Sequence, residues 1–219
     1  MLQVLTSWRR YFRVNRICVV TSKAATYYAI VSRMRKAGLP FSSVLPGTSR
    51  EDCTLIITSA EEVGEFGGLA LALEDLDENP GVFKGQLLSR LNGGGDEMLI
   101  GIDPGIRIGL AVFYGETNLE YSTLSSAMKL SLKVGAFVRG VPAKKFVIRI
   151  GNGDLAMAAK LIESLRFEAP HAVIEMVDES GTSVRPARMR GIQGDQGAAA
   201  KIAFRKGEVI SPKNSGIGV

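Results

Sequence analysis

The chain is poor in the residues on which several common kinds of chemistry depend. Its 219 residues include one histidine, His171, one tryptophan and two cysteines. A single histidine directly before a predicted strand is better explained by a structural role than by general-base catalysis, so carboxylate–metal chemistry fits this composition better. The two cysteines, Cys18 and Cys53, lie in apolar strand-like runs. These positions predict reduced, buried core residues of a cytoplasmic protein.

Long apolar runs are also missing. No stretch approaches the roughly 20 residues that span a bilayer. The N-terminal region has basic residues without the apolar stretch and small-residue site of a signal peptide. At 46% apolar and 22% charged residues, the composition is that of an ordinary globular protein. We therefore expect a cytoplasmic protein that does not interact with a membrane.

Positive charge is concentrated at the two ends of the chain. The net charge is +5, and residues 1–23 contain five basic side chains and no acidic one. Residues 51–97 contain eleven acidic side chains against two basic ones, whereas residues 181–219 contain seven basic against two acidic. Basic segments at both ends suit a polyanion such as nucleic acid. For the N-terminal segment alone, ordinary solvated charge is the simpler explanation.

Three consecutive glycines at 93–95 separate two regions with α/β patterns. Such a run forms a flexible joint rather than a helix or strand. We predict a small α/β accessory domain over 1–92 with a basic N-terminal segment, a Gly-rich linker over 93–97 and a second domain over 98–219. The first domain lacks a phosphate loop with the usual glycine and lysine spacing. Its predicted strands are 17–21, 41–45 and 53–58, its helices are 24–37 and 82–91, and Ser59 with Glu62 has capping-box spacing before a further helix.

The second domain predicts the element order βββαβαβα, an α/β architecture. Apolar runs and turn residues indicate its strands, and 3.6-residue periodicity indicates its helices. Asp154 is the expected N-cap of the second helix. The predicted strands are 98–102, 108–114, 119–123, 145–150 and 172–177, and the helices are 126–138, 155–165 and 196–206.

The stretch Leu99–Val112, LIGIDPGIRIGLAV, predicts a strand, a tight turn and a second strand, with Asp103 where the first strand ends. Burying an unpaired charge is costly, so this carboxylate needs solvent, a cationic partner or a metal. Gly105 and Gly109 leave room for a phosphate or another backbone to approach. The simpler alternative is an aspartate that caps a hairpin turn.

Further acidic side chains follow the last predicted strand and begin the last helix. Asp178 and Glu179 end the strand, and Asp195 opens the helix. If the first strand is central and the later strands run parallel to it, these positions meet at one sheet edge, where α/β proteins bind ligands. Converging carboxylates repel one another unless a cation lies between them, and oxygen-only clusters suit Mg²⁺ or Mn²⁺. Each acid also has an alternative role as a cap, and mid-strand Glu175 is either a ligand or a member of a buried ion pair.

Four segments in order resemble the YqgF/RuvC-like branch of the ribonuclease H superfamily, which includes Holliday junction resolvases. They are GIDPGIRIGLAV, FVIRIGNGD, VDESGTS and DQGAAAKIA. The resemblance covers about 120 residues of the second domain. It implies a ribonuclease H-like βββαβαβα fold and a metal-dependent endonuclease that cleaves branched DNA or structured RNA with two Mg²⁺ or Mn²⁺ ions. Symmetric resolution of a four-way junction requires a symmetric dimer, so a homodimer is a further expectation.

The resemblance also implies roles for individual residues. The acids Asp103, Glu179 and Asp195 would be both catalytic and metal-binding, with Glu175 and Asp178 as the next candidates for ligands. Phosphate contacts would make binding to nucleic acid strongly dependent on salt. The expected nucleic-acid-binding residues are Arg107, Arg185, Arg188, Arg190, Lys201 and Arg205, and the expected phosphate-loop residues are Gly105, Gly151, Asn152 and Gly153.

Two other functions are compatible with parts of the pattern. The GNGD and DESGTS segments and the C-terminal tail are similar to the YqgF-like domain of the Tex transcription-accessory proteins. That similarity implies a non-catalytic nucleic-acid-binding or scaffolding module. Sugar kinases and actin-like ATPases also begin with a strand and an Asp-x-Gly turn, but they enclose ATP between two such lobes. One lobe of about 120 residues is too small for that arrangement.

Overall fold

The computed structural model describes residues 16–179 and 194–210. The chain divides between Gly95 and Asp96 into two compact units, and residues Arg139–Pro142 group with the first. The division lies inside the expected 93–97 linker. Both units are α/β, as the sequence predicts.

Unit 1, the unit that ends at Gly95, contains the elements β1 (Ile17–Val19), α1 (Ala24–Lys36), β2 (Ser42–Ser43), β3 (Leu55–Thr58), β4 (Ala70–Ala72) and α2 (Pro80–Leu91). The strands form a parallel sheet in the order β2-β1-β3-β4. Helices α1 and α2 supply the apolar faces that pack with this sheet, through Ile30 and Met34 of α1 and Phe83 and Leu87 of α2. The C-cap residue of α1 is Ala37 rather than Gly38, which follows it with a φ of 64°, the left-handed conformation that glycine supplies one residue beyond a C-cap.

The expectation of a capping box at Ser59 is wrong in its detail. A 3-10 segment, Val63–Leu69, follows instead of an α-helix. The Ser59 hydroxyl donates a 2.9 Å hydrogen bond to the Glu62 carboxylate. In a capping box it would instead accept a hydrogen bond from a backbone N–H. Burial opposes ionisation of Glu62, but hydrogen bonds from Ser22, Thr21 and Ser59 outweigh it and hold the pKa of this carboxyl well below its usual range.

The two cysteines correct another prediction. Cys18 and Cys53 are buried, as expected, but they form a disulfide rather than two free thiols. The parallel register pairs Cys18 with Ile56 on β3, which brings Cys53 close enough for a Cα–Cα distance of 5.8 Å. That separation lies in the usual range for a disulfide. Reduced cysteines therefore no longer support the expectation of a cytoplasmic location.

Unit 2 contains the elements β5 (Glu97–Asp103), β6 (Ile108–Tyr114), β7 (Thr117–Leu124), α3 (Ala127–Gly140), β8 (Lys145–Gly151), α4 (Leu155–Glu168), β9 (Val173–Val177), α5 (Gly194–Phe204) and β10 (Glu208–Val209). This is the expected order of elements followed by one further short strand. The strands form a six-stranded mixed sheet in the order β10-β9-β8-β5-β6-β7. Strand β5 is internal, antiparallel to β6 and parallel to β8, and β8 is parallel to β9.

Helix α5 packs unusually closely on strands β5 and β6. A Cβ at Gly101 would overlap the carbonyl oxygen of Ala199, and a Cβ at Gly109 would overlap the carbonyl oxygen of Asp195. The helix presents buried small side chains there, including Ala199, Ala200 and Ala203. Glycine on the strands and alanine on the helix therefore bring the α5 backbone onto the sheet, and the contact at Gly109 fixes the N-terminal turn of α5.

No helix in the described parts of the chain is both long and apolar enough to cross a bilayer.

Candidate carboxylate site

Three acidic side chains reach one end of the unit 2 sheet from separate elements. Asp103 is the last residue of β5, Glu179 lies two residues beyond β9, and Asp195 is the second residue of α5. Asp103 pairs in register with Gly109, the glycine on which the Asp195 backbone rests. The close packing of α5 therefore places Asp195 beside Asp103.

The pKa of Asp103 is affected by the other two acids. The pKa of Asp103 is raised from an ordinary 3.8 to about 6, mainly by burial and in addition by repulsion from the Glu179 and Asp195 carboxylates. A half-buried carboxyl beside two other acids resists ionisation. Perturbed groups of this kind are found preferentially at functional sites.

Two of these carboxylates also have partners within the protein. The Arg107 Nε lies 3.5 Å from the Asp195 Oδ2, with the arginine side chain 74% exposed at the β5–β6 turn. The Glu179 Oε1 accepts a 3.0 Å hydrogen bond from the Gly153 N–H. Among residues 16–179 and 194–210, no group of three His, Cys, Asp or Glu side chains has the arrangement of a metal site.

The donor set nevertheless fits a hard divalent cation in its chemistry. All three side chains offer only carboxylate oxygens, which Mg²⁺ and Mn²⁺ prefer. Their mutual repulsion at Asp103 is the unfavourable interaction that a bound cation would relieve.

The turn after β8 holds the segment that contains Asp178 and Glu179. Asn152 donates through Nδ2 to the Asp178 Oδ1 at 3.2 Å and accepts at Oδ1 from the Glu179 N–H at 3.1 Å. A Cβ at Gly151 would overlap the Glu179 Oε1, and one at Gly153 would lie 3.1 Å from it. These glycines, which the resemblance assigns to phosphate binding, make room for Glu179 in this structure.

Glu175 adopts the second of its two expected roles, the buried ion pair. It lies opposite Arg149 in the β8–β9 register, and its Oε2 accepts hydrogen bonds from the Arg149 Nε at 2.8 Å and the Gly207 N–H at 3.2 Å. The Arg149 Nη1 donates to the Ala203 carbonyl at 2.7 Å. Burial opposes the charge on Glu175, but the hydrogen bonds from Arg149 and Gly207 prevail and its pKa is lowered. The pair therefore joins β8, β9 and the end of α5.

The expected nucleic-acid-binding residues have different surroundings. Arg107 is exposed beside Asp195, Lys201 is half-buried on α5, and the Arg205 Nη1 donates to the Asp178 carbonyl at 2.7 Å. Gly105 lies in the turn between β5 and β6, where a Cβ would lie 3.4 Å from the Arg107 carbonyl oxygen. Arg185, Arg188 and Arg190 lie outside the described residues.

Sequence reasoning assigned Asn152 to phosphate binding and missed its contacts with the acidic segment. One signal pointed to them. Gly-Asn-Gly ends one parallel strand and Asp-Glu ends the next, so both turns lie at the same sheet edge. A separate signal concerns Glu175, because the expected strands 145–150 and 172–177 place it and Arg149 at nearly the same level.

Comparison with known protein families, with curated proteins and with solved structures finds no significant match for this chain.

Proposed function

We propose that this protein is a metal-dependent endonuclease acting on structured nucleic acid, with unit 2 as a ribonuclease H-like domain of the Holliday junction resolvase type. The observation that favours this function most is the carboxyl of Asp103, whose pKa is raised to about 6 by burial and by repulsion from Glu179 and Asp195. Three acids from separate elements at one sheet edge fit the chemistry of phosphodiester cleavage better than a capping role for each.

Asp103, Glu179 and Asp195 would hold Mg²⁺ or Mn²⁺. Such ions supply activation of the attacking water and stabilisation of the charge that develops on the phosphate and the leaving oxygen. The ionisation of Asp103 would determine the pH range in which the ions bind. Asp103 must be ionised to be a ligand, so ion occupancy should rise with pH through about 6.

The cationic side chains would orient the substrate. Arg107 is one such side chain, because it is exposed and lies beside Asp195. It would exchange the Asp195 carboxylate for a substrate phosphate when an ion occupies the site. Phosphate contacts of this kind position a nucleic acid without reading its sequence.

A second candidate function is a non-catalytic nucleic-acid-binding or scaffolding module. The partners already present at two of the acids favour it, because the Asp195 carboxylate faces Arg107 and the Glu179 carboxylate accepts from the Gly153 N–H. Acids that already have partners within the protein can stabilise a fold without holding an ion.

A cleavage assay separates the two functions. The substrates are a labelled four-way DNA junction, duplex DNA, single-stranded DNA and a structured RNA, each incubated with Mg²⁺, Mn²⁺ or a chelator. Wild type is compared with Asp103→Asn and with a control, Asp154→Asn, at the N-cap of α4. Metal-dependent cleavage lost only in Asp103→Asn supports the nuclease. Cleavage by Asp103→Asn contradicts it, and equal binding by all three proteins without cleavage favours the scaffold.

A further inference from the structure

Two backbone N–H groups of the turn Gly151–Gly153 donate hydrogen bonds within the protein. The Asn152 N–H donates to the Val177 carbonyl at 3.1 Å, and the Gly153 N–H donates to the Glu179 carboxylate. A phosphate-binding turn needs backbone N–H groups directed at the ligand. Both of these groups are already engaged, so the turn is occupied by the acidic segment.

The side chain of Asn152 completes this contact from both of its polar atoms. Its Oδ1 accepts from the Glu179 N–H and its Nδ2 donates to the Asp178 carboxylate. Together with the two backbone bonds, four hydrogen bonds join the turn to residues 177–179. Three of these hydrogen bonds are to main-chain or side-chain atoms of Asp178 and Glu179. Both residues lie beyond the end of β9, where strand pairing no longer fixes the backbone.

We propose that Asn152 is a positioning residue, which fixes the backbone of Asp178 and Glu179 so that the Glu179 carboxylate stays beside Asp103. It acts through Glu179 and makes no contact with the substrate phosphate. The glycines on either side contribute space, because a side chain at 151 or 153 would push the Glu179 carboxylate away. This inference rests on the proposed function as far as ion binding is concerned, whereas the positioning of the backbone is independent of it.

Two measurements on the full chain test the proposal. The first is the hydrogen-exchange rate of the Glu179 amide, followed by NMR in wild type and Asn152→Ala. Loss of one hydrogen bond should accelerate this exchange about two- to tenfold. The matched control is Asn118→Ala, which removes an asparagine that donates to the Val112 and Glu120 carbonyls in the β6–β7 hairpin. That control should leave the Glu179 amide unchanged.

The second measurement is the affinity for Mn²⁺ alone, by electron paramagnetic resonance, together with the affinity for a four-way DNA junction in chelator. Asn152→Ala should weaken Mn²⁺ binding about tenfold, as loss of a residue that orients a ligand does, and leave junction affinity unchanged. Gly153→Ala provides a second variant at an exposed position. Its added methyl would lie 3.1 Å from the Glu179 Oε1, and it should also weaken Mn²⁺ binding.

The outcomes are distinguishable. Unchanged exchange at the Glu179 amide in Asn152→Ala would overturn the proposal. Weaker junction binding in chelator with unchanged Mn²⁺ affinity would overturn it in favour of a phosphate-binding turn. Faster exchange in a protein whose wild type binds no Mn²⁺ would support the positioning of Glu179 and contradict the proposed nuclease.

Discussion

Removing the charge of Asp103 should make the protein more stable at neutral and alkaline pH. The pKa of this carboxyl is raised from 3.8 to about 6 in the folded protein. The protonated form is therefore favoured by folding, and the contribution of this group to the free energy of unfolding falls as pH rises from about 4 through 6. Asparagine has nearly the same shape and never ionises, so Asp103→Asn removes the cost that wild type bears above pH 6.

The expected gain in the free energy of unfolding follows from the raised pKa of Asp103. About two pKa units at about 1.4 kcal/mol each give an upper bound of about 3 kcal/mol. Screening by solvent at a partly exposed site reduces this to roughly 1–2 kcal/mol. Urea unfolding followed by circular dichroism should show that gain at pH 8 and almost none below about pH 3, where Asp103 is protonated in the folded and unfolded states.

Two controls make this prediction specific. Asp154→Asn removes a charge from unit 2 at a helix N-cap, where asparagine is as good a cap as aspartate but loses interaction with the helix dipole, and it should lower stability by less than about 1 kcal/mol. Saturating Mg²⁺ should stabilise wild type by about 3 kcal/mol at a hundredfold excess over its dissociation constant and leave Asp103→Asn unchanged. A loss of stability in Asp103→Asn at pH 8, or an equal gain at pH 8 and pH 3, would show that the Asp103 charge does not destabilise the folded protein.

Three further predictions concern other parts of the molecule. Arg188→Ala with Arg190→Ala should lower affinity for branched DNA and reduce the slope of log affinity against log salt by about 2, and an unchanged slope would remove these residues from the phosphate contacts. Reducing the disulfide, which spans 35 residues, should lower the free energy of unfolding of unit 1 by about 4 kcal/mol; an unchanged urea midpoint with dithiothreitol would contradict that. Arg149→Met should cost about 3–5 kcal/mol, because it leaves Glu175 buried without its partner. That loss should shrink as pH falls, because Glu175 in the variant lacks the hydrogen bond from Arg149 that lowers its pKa and is protonated more readily. A pH-independent loss would show that packing dominates.

Local sequence patterns predicted most of unit 2. The limits of Ile108–Tyr114 and the N-cap at Asp154 agree with the structure, because apolar alternation, turn residues and capping are properties of short segments. The missed strands are short. Ala70–Ala72 and Glu208–Val209 have three and two residues, and they exist because a neighbouring strand pairs with them rather than through their own propensity.

Contacts between distant segments were harder to predict. The disulfide depends on the adjacency of β1 and β3, and nothing in the spacing of Cys18 and Cys53 specifies it. A buried ion pair was one of the two roles expected for Glu175, but its partner Arg149 is fixed only by the β8–β9 register. The expected convergence of Asp103, Glu179 and Asp195 required only the order of strands and the position of each acid at the end of an element, which is why it could be formulated from the sequence.

Binding of Mn²⁺ to the protein without nucleic acid shows whether Asp103 belongs to a metal site. Wild type, Asp103→Asn and Asp154→Asn are titrated with Mn²⁺ at pH 8, and the free ion is measured by electron paramagnetic resonance. We expect a saturable site in wild type and Asp154→Asn that is lost in Asp103→Asn. Equal binding by all three proteins, or no saturable binding by wild type, would contradict this expectation.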